Sequence, residues 1–174
     1  MDFRDKSFDD YQRSLSNDGS YQSRHPELYL PDRLVFLDGV MQSRRSGETV
    51  YHEALVHPAM FVHPHPRLIG IVGGGEGATL REVLKHKTVQ RAHLIEIDEE
   101  MVRISREYLP QWSDCRDLVG SSTWCMDDPR TQMHIANALD WFVRRYSPNN
   151  NHNNETTKEE EAEEPLDVII MDAL

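Results

Sequence analysis

Three acids stand where apolar runs give out: Glu76 inside the glycine run GGGEG (Gly73–Gly77), Glu96 near the end of AHLIEI, and Asp172 closing LDVIIMD. Glycines directly after a strand let the main chain approach a ligand and leave the N-terminus of the following helix open, so Gly73 and Gly75 are candidate ligand contacts. An acid about twenty residues further on is the usual grip on an adenosine, because one carboxylate accepts both ribose hydroxyls. A dinucleotide would suit that spacing, but its pyrophosphate would meet the charge of Glu76 in the same loop. A nucleoside with a cationic tail is favoured. An amine with no carboxylate beside it pairs with Glu76 better than an intact amino acid does, which favours decarboxylated S-adenosylmethionine over S-adenosylmethionine. The bland alternatives are a ligand-free turn for the glycines, a solvated acid for Glu96 and a helix-capping acid for Asp172.

These residues need strands and helices in alternation to position them. LIGIV (68–72) reads as a first strand, followed by a helical pattern at Leu80, Val83 and Leu84. AHLIEI (92–97) reads as a second strand, with Asp98 capping a helix that reaches Leu109 and carries Glu99 and Glu100 in its first turn. TQMHIA (131–136), a helix through Trp141 and Tyr146, and LDVIIMD (166–172) continue the alternation, which predicts an α/β fold with a doubly wound, Rossmann-like sheet. Upstream, LYLPDRLVFLDGVMQ and ETVY read as β-type runs with turns at Asp38-Gly39 and Ser46-Gly47, a small antiparallel unit. Tyr51–Val62 is expected to be a helix bent or broken at Pro58. The predicted organisation is a mobile arm at 1–20, the β unit and connecting helix at 21–62, and a partial Rossmann-like domain at 63–174 with a solvated low-complexity loop at 147–164.

Composition removes several classes. A formal charge of −11 argues against nucleic acid, which needs clustered Lys and Arg, and suits a cationic small molecule. Six Glu and one Lys between Asn149 and Glu164 supply −5 of that total, so the remaining body is only mildly acidic. No stretch approaches the roughly 18 apolar residues of a membrane span, and the polar, acidic start is no export signal, so a cytoplasmic protein without membrane contact is expected. On that reading Cys115 and Cys125 are expected as free thiols. His57, His63 and His65 have no carboxylate or Cys at ligand spacing, so no metal is expected. Trp112, Trp124 and Trp141 are expected to pack rather than bind.

The blocks LDGVMQ (37–42), YHEALVHPAM (51–60), GGGEGATLREVLKH (73–86), EID (96–98) and LDVIIMD resemble the polyamine aminopropyltransferases, the spermidine and thermospermine synthases. The resemblance covers roughly Ser20 to Leu174, with interruptions at Cys115–Met126 and in the acidic loop. It implies a methyltransferase-type Rossmann-like domain truncated at its C-terminus, with no prosthetic group and decarboxylated S-adenosylmethionine as co-substrate. It further implies that Glu76 binds the aminopropyl amine, Glu96 the ribose and Gln22 the same co-substrate, that Tyr51 and His52 meet the polyamine or the co-substrate tail, and that Asp172 is the catalytic base and touches the acceptor amine. Asn137 and Ala138 align with an Asp and a small residue that contact adenine; Asn keeps one acceptor and gains donors. Glu at 76, with His52 in YHE, resembles the thermospermine and the triamine or agmatine enzymes, whereas spermidine synthases usually carry Asp at that position.

The function so implied is transfer of an aminopropyl group to a polyamine with release of methylthioadenosine, by a homo-oligomer, dimer or tetramer, built through the β unit. The rivals are a methyltransferase on the same fold and a truncated, catalytically silent chain acting only by association. The family pattern continues past Asp172 with a second acid and a Pro-containing loop, whereas here Ala173 and Leu174 follow. Residues 1–174 alone are therefore expected to be poorly soluble and inactive.

Overall fold

The computed structural model describes residues 32–118, 120, 122–147 and 164–172, and every element below belongs to one compact unit, Leu34–Leu174. The expected arm, Gln22 and nearly all of the acidic loop lie outside the described residues. Strands β1 (Leu34–Leu37) and β2 (Val40–Arg44) form an antiparallel hairpin. Its two-residue turn is Asp38-Gly39, both at positive φ (49° and 79°), which matches the twist of the flanking strands.

Helix α1 (Glu48–Val62) corrects two expectations. ETVY is helical rather than extended, and the helix runs through Pro58 unbroken to Val62. Glu48, His52, Val56 and Met60 are its buried residues, one every fourth position, so a single stripe faces the interior. That packing holds the helix together although Pro58 can donate no hydrogen bond to the Ala54 carbonyl.

The main sheet is parallel, with strands in the order β5-β4-β3-β6: β3 (Leu68–Gly73), β4 (Arg91–Glu96), β5 (Thr131–Ile135) and β6 (Val168–Asp172). Helices α2 (Ala78–Leu84), α3 (Glu99–Tyr108) and α4 (Ala138–Tyr146) alternate with the strands. Alternate strand residues divide the two faces. Ile69, Ile71, Ala92, Leu94, Val168 and Ile170 join Val56 and Met60 of α1, Leu80 and Val83 of α2 and Val102 of α3 in one core. On the opposite face His93 and His134 meet Trp141 of α4. Helices on both faces make the sheet doubly wound, as the alternation predicted. β6 stands at one edge of the described strands, with Ile169 and Met171 exposed.

Among the described residues, no helix is long and apolar enough to cross a membrane. Cys115 and Cys125, expected as free thiols, form a disulfide with Cα atoms 5.2 Å apart. Both are fully buried in the core, in a segment that returns on itself through the Asp114–Trp124 bridge, so folding brings the sulfurs together whatever the compartment.

His93 is 1% exposed and its ring lies 3.0 Å from that of His134. Burial, with the nearby charge of Arg145, pushes its pKa down to about 4. The unfolded chain then binds the extra proton below about pH 6.5, so stability falls as the pH drops from 6.5 to about 4 and levels off below. Thermal melts should show a loss of roughly 5 °C or more across that window, and His93→Leu should flatten it.

Candidate functional site

A cleft of about 700 Å³ opens at the carboxyl ends of the parallel strands, where open α/β sheets place ligands. It is lined by Tyr51, His52, Gly73, Gly74, Gly75, Glu76, Glu96, Asn137, Ala138 and Asp172, so every described residue singled out in the sequence reaches one place. The hairpin covers one side with Leu37 and Gln42, and α3 contributes Met101. A smaller hollow of about 370 Å³ beside α4 shares Ala136 and Asn137 and is otherwise lined by Ile135, Asp140, Trp141, Arg144 and Arg145, without Glu76, Glu96 or Asp172.

The glycine bend is shaped by the acids behind it. Gly73 pairs with Asp172 across the β3–β6 ladder, so the bend and the last acid start from the same level. Gly74 has φ 75°, and a Cβ there would stand 2.9 Å from Asp172 Oδ2. At Gly75 a Cβ would stand 2.9 Å from Glu96 Oε2, because the Gly75 N–H donates to that oxygen at 3.0 Å. The Asp98 N–H donates to the other Glu96 oxygen at 2.9 Å. Glu96 is thus buried, held by one main-chain donor on each oxygen, and retains a second lone pair on each for a diol. Asp98 caps α3 through the Glu100 and Met101 N–H groups, a contact worth about 1 kcal/mol that fixes the end of β4.

Asp172 is 8% exposed at its side chain. Its Oδ2 accepts from Thr79 Oγ1 at 2.6 Å and its Oδ1 from the Tyr51 hydroxyl at 3.2 Å. Burial and then the charge of Glu76 raise its pKa above the ordinary carboxylate value, against the hydrogen bonds from Thr79 and Tyr51. That is the environment of a carboxylate tuned to accept a proton. Burial and Asp172 in turn raise the pKa of Tyr51. His52 lies 3.1 Å from Glu76 Oε1 and 3.9 Å from Asp172 Oδ2 through its Nε2.

Asn137 caps α4: its Oδ1 accepts from the N–H groups of Leu139 and Asp140 at 2.9 and 3.3 Å. Its acceptor is thereby used within the fold, and the amide NH₂ is what it can offer a ligand. Gln22 lies outside the described residues. Thr79 was missed by the sequence reading, as were Glu48 and Arg81 behind His52. Thr79 sits one turn past the bend on α2, and the only sequence signal for it was a hydroxyl in that first turn.

Among the described residues, two groups of side chains have the donor types for a metal. In the first, His52 turns a nitrogen toward Glu76, and an N–H in that position leaves no lone pair for an ion. In the second, folding brings Glu53 and Glu82 to His57, which corrects the expectation that no carboxylate accompanies the histidines. Lys85 Nζ already lies 2.7 and 2.6 Å from the two Glu82 oxygens, so an ammonium occupies the place of a cation.

If the bend and Glu96 form a nucleoside cradle, Gly75→Ala must displace the carboxylate. Calorimetric titration with methylthioadenosine should show affinity weakened by about tenfold or more, the scale of one or two lost charged hydrogen bonds.

The comparisons with known proteins agree with this architecture. Residues 48–174 match the spermine/spermidine synthase domain. A polyamine aminopropyltransferase 1 from Hyperthermus butylicus is 45% identical over 140 residues, 80% of this chain and 40% of that protein. Polyamine aminopropyltransferase 2 of Pseudomonas aeruginosa is 47% identical over 107 residues, 62% of this chain and 28% of that protein. The crystal structure of spermidine synthase from Thermotoga maritima superposes with a TM-score of 0.62 at 37% identity, covering 81% of this chain and 40% of that one. A spermidine synthase in complex with the transition state analogue AdoDATO gives 0.63 at 36% identity, over 81% and 39%. The chain thus spans less than half the length of these relatives. With a domain match over more than half its residues and the same fold as these solved structures, the chain belongs to the spermine/spermidine synthase family.

Proposed function

We propose that this chain forms the donor-binding side of a polyamine aminopropyltransferase, which moves the aminopropyl group of decarboxylated S-adenosylmethionine to a polyamine. The observation that carries the reading is the grouping of Glu76, Glu96 and Asp172 around one glycine bend, with the Asp172 side chain largely withdrawn from solvent and raised in pKa. Glu96 accepts the ribose hydroxyls on its remaining lone pairs. Gly73 and Gly75 let the nucleoside lie against the main chain. Glu76 takes the terminal ammonium of the tail, Tyr51 and His52 flank the tail and the acceptor, and Asn137 with Ala138 meets the adenine, the Asn amide donating to a ring nitrogen. By the resemblance, Gln22 would bind the same co-substrate.

The acceptor amine is protonated at neutral pH, its pKa being about 10 by analogy with lysine. Asp172 accepts that proton, and the nitrogen lone pair attacks the methylene beside the sulfonium. The new N–C bond forms as the C–S bond breaks. Its electron pair stays on sulfur and neutral methylthioadenosine leaves. Alignment and deprotonation are what the protein supplies, so no prosthetic group is needed.

Glu76 is one methylene longer than the Asp of spermidine synthases, and with His52 it favours a triamine acceptor of the thermospermine or spermine type over putrescine. The exposed Leu34, Phe36, Val40 and Met41 of the hairpin suit a homo-oligomer built through that unit, in the cytoplasm.

The test is turnover by the full-length protein with purified amines. Methylthioadenosine should be released with decarboxylated S-adenosylmethionine and an amine acceptor. Methyl transfer from intact S-adenosylmethionine would instead support a methyltransferase. Asp172→Asn should lower kcat by about a hundredfold or more. Thr79→Val removes a hydrogen bond that favours the Asp172 carboxylate, so the acid limb of the kcat/KM profile should move to higher pH.

A further inference from the structure

Behind the cleft runs a buried ionic chain that begins with Arg81 of α2. Arg81, Glu48 and His52 are 9%, 8% and 2% exposed. Arg81 donates to the two Glu48 oxygens at 3.1 and 2.9 Å. Its other bonds go to Glu82 and to the main-chain oxygens of Gln111 and Trp112, so the guanidinium is held from several directions. His52 Nδ1 lies 3.0 Å from Glu48 Oε2 and 2.7 Å from the Glu48 carbonyl oxygen. Its Nε2 faces Glu76 and, further off, Asp172. The titratable groups around the ring are thus Glu48 and Tyr51 on its own helix, Glu76 of the bend and Asp172 of β6, with Arg81 behind Glu48.

The closest atom facing each ring nitrogen is an acceptor oxygen. A neutral imidazole has a single N–H and would turn a lone pair onto one of them, whereas an imidazolium donates to both sides. We propose that Glu48, fixed by Arg81, is a positioning residue that keeps His52 doubly protonated, so that His52 holds Glu76 and Asp172 beside one another and sets the charge of the cleft. Around the ring itself, Glu76 and Asp172 less one imidazolium leave a single negative charge, with Glu96 further along the same cleft. Without the imidazolium the Glu76 charge would bear on Asp172 uncompensated and disfavour its ionised form, the one that acts as a base. The direction of the titrations agrees: burial opposes charge on His52, yet the hydrogen bonds to Glu48 and Glu76 prevail and raise its pKa to about 9. Burial likewise opposes charge on Glu48, yet His52 and Arg81 bring it down to about 2.

The inference rests on reading the cleft as an amine site, but its test does not need turnover. Nitrogen-15 histidine spectra of the full-length protein, with His52→Gln to assign the signal, report both ring nitrogens directly. We expect a doubly protonated ring at about pH 7.5, with a midpoint above about 8 that drops by about one unit or more in Glu48→Gln. The alkaline limb of kcat/KM should move down by the same amount. A neutral His52 ring at that pH overturns the proposal, whether or not the protein transfers aminopropyl groups. So does a Glu48→Gln protein whose His52 midpoint is unmoved and whose kcat/KM falls equally at every pH. If that variant fails to fold, the wild-type spectrum decides alone. Absent turnover with a doubly protonated ring would count against the aminopropyl reading and leave the ionic chain standing.

Discussion

Carboxylates repel one another, and a cleft that gathers several of them exists only if each is compensated before any ligand arrives. Here the compensation is built from different materials at each position. Glu96 is held by the main-chain N–H groups of Gly75 and Asp98. Glu76 leans on His52, and Asp172 on two hydroxyls. Main-chain amides and hydroxyls stabilise negative charge without cancelling it, so Glu96 and Asp172 stay attractive to a cation and its nucleoside. Only His52 brings a full opposing charge, and it is itself tied back to Glu48 and Arg81.

This arrangement depends on strand ends that line up. The parallel pairing of Gly73 with Asp172 and of Glu96 with Ile135 puts the acids at the same height on neighbouring strands. A slip of one residue in β6 would turn Asp172 to the opposite face, because side chains alternate along a strand. The Ile69–Val168 and Ile71–Ile170 registers set in the apolar core are therefore what aim the polar site. Packing and chemistry share one constraint. The same holds for α1, whose buried stripe carries Val56 and Met60 into the core and His52 to the cleft, with Glu48 behind it.

Several features were legible because their signals are local. The Asp98 cap, the Asp38-Gly39 turn and the strand–glycine–helix unit each follow from a few consecutive residues. The alternation of apolar runs with helical spacing was enough for the doubly wound sheet. The reading of ETVY as a strand failed because its β-branched and aromatic residues were weighed without Glu48. In the fold that acid pairs with Arg81, 33 residues on, a contact no local pattern reveals. The free-thiol expectation failed for a related reason. Compartment argues about whether thiols oxidise, whereas the turn between Asp114 and Trp124 decides whether they meet. His57 looked isolated from carboxylates in sequence, and the packing of α1 against α2 supplied Glu82.

Taken alone, the sequence determined which groups are available and their order along the chain: a glycine bend, acids at strand ends, a base candidate at Asp172. Those follow from short-range rules, since turns, caps and strand termini are specified by neighbouring residues. What only the tertiary structure decided is the state of those groups. Asp172 is raised in pKa and bonded to Thr79 because β6 and α2 converge, and His52 is placed between two carboxylates because α1 crosses their strand ends. Desolvation and charge pairing act over a few ångströms of space, and residues separated by tens of positions enter that range only once the chain has folded.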